Sequence, residues 1–378
     1  MKVLKSIVSV SLLCLMILWQ TSGVAFFGKK EATVGFAGDI MMHIRVKKCA
    51  AINGFDHLFK RISPELESVD YMSGNMEFPV SPPFKSKGII FNAPEASIPA
   101  VKKAGFDLVV LANNHILDQK EKGLLDTIAF LEKYNLPFIG VKKTEKDARL
   151  GHVETINGIR VGMTAYAGLI NYPDRNRGSN FYVNWIYKKR NVLEDIKEMK
   201  KRCDFLVMQV HTGVEYVLEP RQSDRELFQE YLDAGVDLII GHHPHMLQSM
   251  ETYKTKDGRT TEIFYSLGNF VHDQTRSVAI RKTRKSISIK SSAIVKLHLT
   301  RVGSSIVDRY TVVPIHTVHE FLESGGQKYK NIQTATLKDL VKESEGNTGL
   351  SKYYKNETEA VRLTLFKGKI PSNIAFIE

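Results

Sequence analysis

Histidine, carboxylate and asparagine side chains gather in this chain at the ends of short apolar runs. Thr33 to Ala37 leads into Gly38-Asp39, Val69 to Met72 into Gly74-Asn75-Met76-Glu77, and Leu108 to Ala112 into Asn113-Asn114-His115. Phe205 to Val210 leads into His211, Leu238 to Ile240 into Gly241-His242-His243-Pro244-His245, and Ile263 to Leu267 into Gly268-Asn269. Of the 12 histidines, five (His115, His211, His242, His243 and His245) follow such runs, a concentration that favours a metal site over isolated polar histidines. His243 and His245 flank Pro244, a spacing at which two imidazoles on an extended loop reach a common ion while proline restrains the backbone between them. Asp39 offers a carboxylate able to bridge two cations, Glu77 a second, and Asn75, Asn113 or Asn114 a neutral carbonyl oxygen. This mixed donor set suits one or two divalent ions of borderline hardness, Mn²⁺, Fe²⁺ or Zn²⁺. A pair of such ions lowers the pKa of a bridging water and stabilises charge building on a phosphoryl or carbonyl oxygen. His115 is placed to protonate a leaving group, and Asp118, three residues on, to orient its ring.

Further candidates surround this set, each with an ordinary alternative. Glu215 follows His211 by four residues and reads either as a group that holds that ring or contacts substrate, or as a surface carboxylate. His43 is a ligand or a solvent-facing residue at a helix start. Asn269 is a hydrogen-bonding residue behind a ligand or a turn former. Arg45 meets an anionic substrate or makes a surface salt bridge.

To converge, these residues need a scaffold that brings distant segments to one edge. Short β-branched and aromatic runs punctuated by glycine read as buried strands. An open α/β sheet holds its ligand at the carboxyl ends of such strands. Helical periodicity fills the intervals: Glu121 to Tyr134 aligns Leu124, Leu125, Ile128 and Leu131, Lys189 to Arg202 aligns Val192, Ile196 and Met199, and Asp224 to Ala234 aligns Leu227, Phe228, Tyr231 and Leu232. The pairs Ala104-Gly105 and Ala234-Gly235 each close a helix just before a strand, since glycine accepts the left-handed conformation a helix end requires. Asn157-Gly158 and Lys256-Asp257-Gly258 mark hairpins, and Ser291 to Thr300 with Ile306 to Ile315 form a last strand pair. The expected fold is a two-sheet α/β sandwich with the polar rim at one edge. Beyond about Phe321 the pattern weakens: Lys338 to Glu343 reads as helix, and Ser344 to Glu378 gives no clear reading.

With 378 residues and 43% hydrophobic content, the chain is long enough for one large domain or two and is not disordered. Lys2 and Lys5, the apolar stretch Ile7 to Trp19 and the small residues Ser22 to Ala25 make residues 1–25 a secretory signal or an uncleaved N-terminal anchor. Either places the protein outside the cytoplasm: periplasmic, extracellular or membrane-anchored in the cell envelope. Leu13 before Cys14 is too large for lipidation. Cys49 and Cys203 are either disulfide-bonded or two buried free thiols, and neither belongs to a metal-type cysteine pair. The formal charge of +12, from 53 basic and 41 acidic residues, is uneven. Gln274 to Val307 holds no Asp or Glu but carries Arg276, Arg281, Lys282, Arg284, Lys285, Lys290, Lys296 and Arg301. Such a segment concentrates anions, and Arg281, Lys282, Arg284 and Lys285 are the candidate substrate-binding cations; the alternative is a solvated basic face. Export argues against nucleic acid, so an acidic polymer, anionic lipid headgroups or phosphate esters are the expected partners.

Six segments resemble, in order, the motifs of the CapA-like capsule synthesis proteins. They are Phe36-Ala37-Gly38-Asp39-Ile40-Met41-Met42, Gly74-Asn75-Met76-Glu77, Asn113-Asn114-His115-Ile116-Leu117-Asp118, His211-Thr212-Gly213-Val214-Glu215-Tyr216, Gly241-His242-His243-Pro244-His245 and Tyr265-Ser266-Leu267-Gly268-Asn269-Phe270. That family is associated with poly-gamma-glutamate synthesis or export, with membrane-bound capsule machinery as partner, and is related to calcineurin-like metallophosphoesterases. The resemblance implies a four-layer, two-sheet α/β sandwich of metallophosphatase type over residues 31–320, with 321–378 as a C-terminal extension. Carried over, it makes Asp39, Glu77, Asn113 or Asn114, His211, His243 and His245 the metal shell and His115 the acid. The phosphoesterases open with Asp, any residue, His, whereas position 41 here is Met, and only Glu77 stands in for their second Asp. A mononuclear site, or one that binds without turnover, therefore stays open beside a paired one. Three functions follow: an exported metal-dependent hydrolase or transferase acting on an acidic capsule or envelope polymer, a metallophosphoesterase cleaving a phosphate ester, or a non-catalytic polyanion-binding scaffold.

Overall fold

The computed structural model describes residues 30–143, 151–173, 182–281 and 283–378. The expected leader at 1–25 and Lys282 lie outside them. The first strands are β1 (Lys30–Ile40), β2 (Tyr71–Met76), β3 (Leu108–Val110), β4 (Phe138–Ile139), β5 (Val141–Lys142), β6 (His152–Ile156), β7 (Ile159–Ala167) and β8 (Tyr182–Val183). They are followed by β9 (Phe205–His211), β10 (Leu238–His242), β11 (Met250–Lys254), β12 (Thr260–Phe264), β13 (Asn269–Val271), β14 (Ser277–Ala279) and β15 (Ser286–Ser288). The last are β16 (Ser291–Val302), β17 (Ser305–Ser324), β18 (Gln327–Thr336) and β19 (Ile374–Phe376).

One sheet has the order β18-β17-β16-β1-β2-β3-β4, with β13 beside β1 and β19 beside β17; the other runs β11-β12-β10-β9-β7-β6. Alternation along the strands shows how they stack. On β9, Phe205 and Val207 join the core between the sheets, while Leu206, Met208 and Val210 pack outward on Val192, Ile196, Met199, Phe228 and Tyr231 of helices Lys189–Arg202 and Gln222–Asp233. The other sheet does the same: Val34 and Phe36 face inward, and its outer face packs on Val46, Cys49, Leu124, Ile128 and Leu131 of helices Ile44–Asn53 and Lys120–Lys133. Strands buried on both faces read as continuous apolar runs. The result is helices, sheet, sheet, helices, the four-layer sandwich expected from the resemblance. The three expected helices and both hairpins are present, and Cys49 and Cys203 are buried free thiols.

The stretch beyond Phe321, where the sequence pattern weakens, is ordered, and it includes the expected helix near Lys338 to Glu343. β17 continues through position 320 to Ser324 and pairs with β18 as far as Ser324↔Gln327. Thr336 then caps helix Leu337–Glu343 by accepting from the Asp339 N–H, and Asn347 caps helix Thr348–Phe366 by accepting from the Leu350 N–H. β19 returns parallel to β17, with Ile374 opposite Tyr310.

Candidate metal centre

The carboxyl ends of β1, β2, β9 and β10 meet where the two sheets face one another. On β1 the register against β2 shifts between Ala37 and Asp39, so the strand bulges at Gly38 and re-aims Asp39. Only glycine fits that bulge, because a Cβ there would lie 1.9 Å from the Gly268 carbonyl oxygen. Gly241 is caught in the same way, with the Tyr265 oxygen 1.9 Å from where its Cβ would be. Past β10, His243 (φ 97°) and His245 (φ 57°) both adopt left-handed backbone, a conformation that costs a non-glycine residue energy and gathers at functional sites.

Asn75 is the hub of the cluster. Its Nδ2 donates to Asp39 Oδ1 at 2.7 Å and to His211 Nδ1 at 3.1 Å, and reaches Glu77 Oε2 at 3.4 Å. The His243 N–H donates to Asp39 Oδ2 at 3.3 Å, so residues of both sheets hold this one carboxylate. His242 Nδ1 stands 3.5 Å from Asp39 Oδ1, an electrostatic contact too long for a well-formed hydrogen bond. His211 Nε2 donates to Asn114 Oδ1 at 2.9 Å. His115 Nδ1 donates to Asp118 Oδ2 at 2.6 Å, the same oxygen accepts the Phe91 N–H at 2.6 Å, and the Phe91 ring stacks on His115 at 4.1 Å.

Glu77 Oε1 is buried and has no hydrogen-bond partner among the described residues. Around it stand His115 Nε2 at 3.9 Å, His211 Nε2 at 3.8 Å and His245 Nε2 at 3.9 Å. Those separations are too long for hydrogen bonds. The one to His245 matches two donor atoms bound to one cation at about 2.0–2.2 Å each, whereas His211 Nε2, which donates to Asn114, would have to lose its proton to join them. Asp39, Glu77 and His211 each offer an atom within 4.8 Å of the others, as do Glu215, His243 and His245. Carboxylate and imidazole donors together with an orphaned buried oxygen fit a divalent ion of borderline hardness.

The electrostatics fit as well. Burial, reinforced by Asp39, Glu215 and Asp118, drives the Glu77 pKa well above its ordinary value. Burial pulls the same way on Asp39, but His242 and His245 beside it outweigh that and hold it well below. Burial, with His245 next in effect, lowers His243 to about 3, and burial with His243 lowers His211 far below its usual value. Neutral imidazoles keep the lone pair a cation needs.

The candidates divide as follows. Asp39, Glu77, His211, His243 and His245 converge, Glu215 joins them from the exposed side, and Asn114 turns its carbonyl to His211. Of the alternatives Asn113 and Asn114, Asn113 braces the loop: its Nδ2 donates to the Met76 carbonyl at 2.9 Å and its Oδ1 accepts the His115 N–H at 3.2 Å. Asn269 stands behind a ligand, its Oδ1 accepting from His245 Nδ1 at 3.0 Å. Met41 is buried in the core, and His43, the candidate replacement, accepts the Asp273 N–H on Nδ1 and packs edge-on against Phe91. Arg45 pairs with Asp273 at 3.1 Å on the surface. Arg281, Arg284 and Lys285 are exposed at the turn of the β14–β15 hairpin, where Ser288 N–H donates to Glu357 of helix Thr348–Phe366 and Lys285 lies 3.7 Å from Glu359. Phe91, Asn171 and Gln274 were not foreseen, because a loop residue acquires its role only when a distant strand end reaches it. Tyr216 had a signal, its place in the His211-Thr212-Gly213-Val214-Glu215-Tyr216 segment.

The family model described as "Bacterial capsule synthesis protein PGA_cap" matches residues 33–274. The chain is 36% identical over 300 residues to "Capsule biosynthesis protein CapA" of Bacillus anthracis, covering 76% of this chain and 68% of that protein. It is 31% identical over 335 residues to "PGA biosynthesis protein CapA" of Bacillus subtilis (strain 168), covering 86% and 82%. Among solved structures, the NAD nucleotidase of Haemophilus influenzae aligns with a TM-score of 0.48 at 9% identity, over 92% of this chain and 57% of that one.

Proposed function

The chain belongs to the bacterial capsule synthesis protein PGA_cap family, and from that premise we propose that it is an exported, metal-dependent hydrolase or transferase acting on an anionic capsule or envelope polymer such as poly-gamma-glutamate. The observation that carries the metal-dependent reading is Glu77 Oε1, buried without a hydrogen bond and ringed by three imidazole nitrogens. Export rests on the leader read in residues 1–25.

Asp39, Glu77, Asn114, His211, His243 and His245 would hold one or two divalent ions, Mn²⁺, Fe²⁺ or Zn²⁺, with Glu215 closing the exposed side. When bound, such ions supply Lewis-acid stabilisation of charge developing on a carbonyl or phosphoryl oxygen. Asp118 accepts the Nδ1 proton of His115, which leaves Nε2 to hold or release a proton toward a leaving group. Phe91, stacked on that ring, prevents it from swinging away.

The test is the transition-metal content of the full-length chain after metal-replete purification, beside the His243→Ala, His245→Ala double variant. Stoichiometric metal in the parent and its loss in the variant are expected; a metal-free parent sinks the proposal and leaves the polyanion-binding scaffold. Activity toward an aryl phosphate, abolished by Asp39→Asn, would direct the chemistry to phosphate esters.

A further inference from the structure

Arg276 lies in the acid-free segment but was not among its candidate substrate-binding residues, and the structure sets it against Tyr216. Its guanidinium carbon sits 4.1 Å from the centre of the Tyr216 ring, a cation–π contact. Tyr216 is itself fixed to the metal centre. Its N–H donates to the Pro244 carbonyl at 2.8 Å, inside the His243-Pro244-His245 loop, and its ring lies 6.0 Å from that of His245. A second route runs through side chains: Asn269, the acceptor for His245, donates to Gln274 Oε1 at 3.0 Å, and Gln274 Nε2 donates to the Tyr216 hydroxyl at 3.2 Å. Arg276 follows Gln274 by two residues.

The neighbouring cations are neutralised. Arg45 and Lys330 share Asp273 at 3.1 and 2.5 Å, and Arg221 pairs with Asp224 at 2.8 Å. Arg276 has no carboxylate partner among the described residues, and it is exposed. A guanidinium over an aromatic ring, without a carboxylate partner among the described residues and joined to His245 through Tyr216 by two routes, has the form of a grip for a planar or tetrahedral oxyanion, which arginine binds through two parallel N–H bonds.

We propose that Arg276, on its Tyr216 platform, is the specificity-determining residue that seats an oxyanion of the substrate, carboxylate or phosphate, beside the metal centre. The inference deepens the proposed function and rests on it for the identity of the substrate.

The experiment titrates the full-length chain with a γ-linked glutamate decamer and, separately, with inorganic phosphate, at low and at physiological salt. Arg276→Ala is expected to weaken decamer binding at least tenfold and to flatten its salt dependence. Arg276→Lys should recover only part of the loss, because lysine lacks the fork, and Arg281→Ala should leave binding unchanged. Parallel loss of phosphate binding supports a general oxyanion grip, and loss of the decamer alone a carboxylate grip. Unchanged binding in Arg276→Ala, an equal loss in Arg281→Ala, or a parent that binds neither probe overturns the inference. Metal content measured on the same samples keeps the two readings apart: a metal-free parent defeats the proposed function, whereas metal-replete Arg276→Ala protein with full affinity defeats this inference alone.

Discussion

Asn269 decides which nitrogen of His245 faces the carboxylates. Nδ1 has two oxygen acceptors, Asn269 Oδ1 at 3.0 Å and Asp39 Oδ2 at 3.3 Å, so it carries the proton and Nε2 presents its lone pair toward Glu77 Oε1. Partners behind a ligand are commonly worth 10–100-fold in metal affinity. Asn269→Ala is therefore expected to lower affinity by about that factor, read by chelator competition, with the thermal transition of the metal-free protein moving by only a few degrees. Wild-type affinity in this variant would show that Asp39 alone orients the ring. In the sequence Asn269 read equally as such a partner or as a turn former, because the residue type serves both and only the position of His245 decides. Asn113 and Asn114 were ambiguous for a related reason: adjacent amides point in different directions, and the direction depends on how the loop closes over Met76.

At the scale of elements, the site depends on backbone crossings that exclude any Cβ. At Gly38 and Gly241 an added methyl group would lie 1.9 Å from a carbonyl oxygen, and no side-chain rotation relieves a clash with backbone. Gly38→Ala should destabilise the protein by about 3 kcal/mol or more, at the upper end of overpacking costs, and disperse the metal site. A denaturant midpoint equal to that of the parent would refute the bulge account. The inner strands were legible because apolar runs buried on both faces have no other explanation at that length. β18 and the far end of β17 were not, since the hairpin leaves the sandwich and Phe321 to Gln327 are exposed. Helix Thr348–Phe366 was obscured by its own buried polar residues: Glu357 faces inward to accept from Ser291 at 2.6 Å, which interrupts the apolar stripe. Arg276 stood in view within a basic run, but its selection from that run required Tyr216, which comes from a different layer.

For the molecule as a whole, Asp204 is a clasp between the sheets. Its carboxylate bonds Arg160 Nη2 on β7 at 2.9 Å and Arg301 Nη2 on β16 at 2.6 Å. Burial would raise its pKa, yet the arginines outweigh burial and bring it down from 3.8 to about 2. A carboxylate depressed in the folded state contributes stability above its unfolded pKa and loses it as pH falls through the folded one. Asp204→Asn should therefore cost about 1 kcal/mol at neutral pH, modest because the clasp is partly solvated. The gap to the parent should close between about pH 4 and pH 2. Urea midpoints across that range check this, and a constant gap would mean that packing, not charge, is lost. Such ties between layers have no sequence signature, whereas the layers themselves did. β1 traverses the sandwich from Lys30, opposite Arg301, to Asp39 at the candidate metal centre. At roughly 3.3 Å per residue, those ten residues put about 30 Å between its two ends. A tether or affinity handle joined upstream of Lys30 would hold the molecule by the pole remote from Asp39, so protein captured on a surface through that end should keep the histidine cluster turned away from its support.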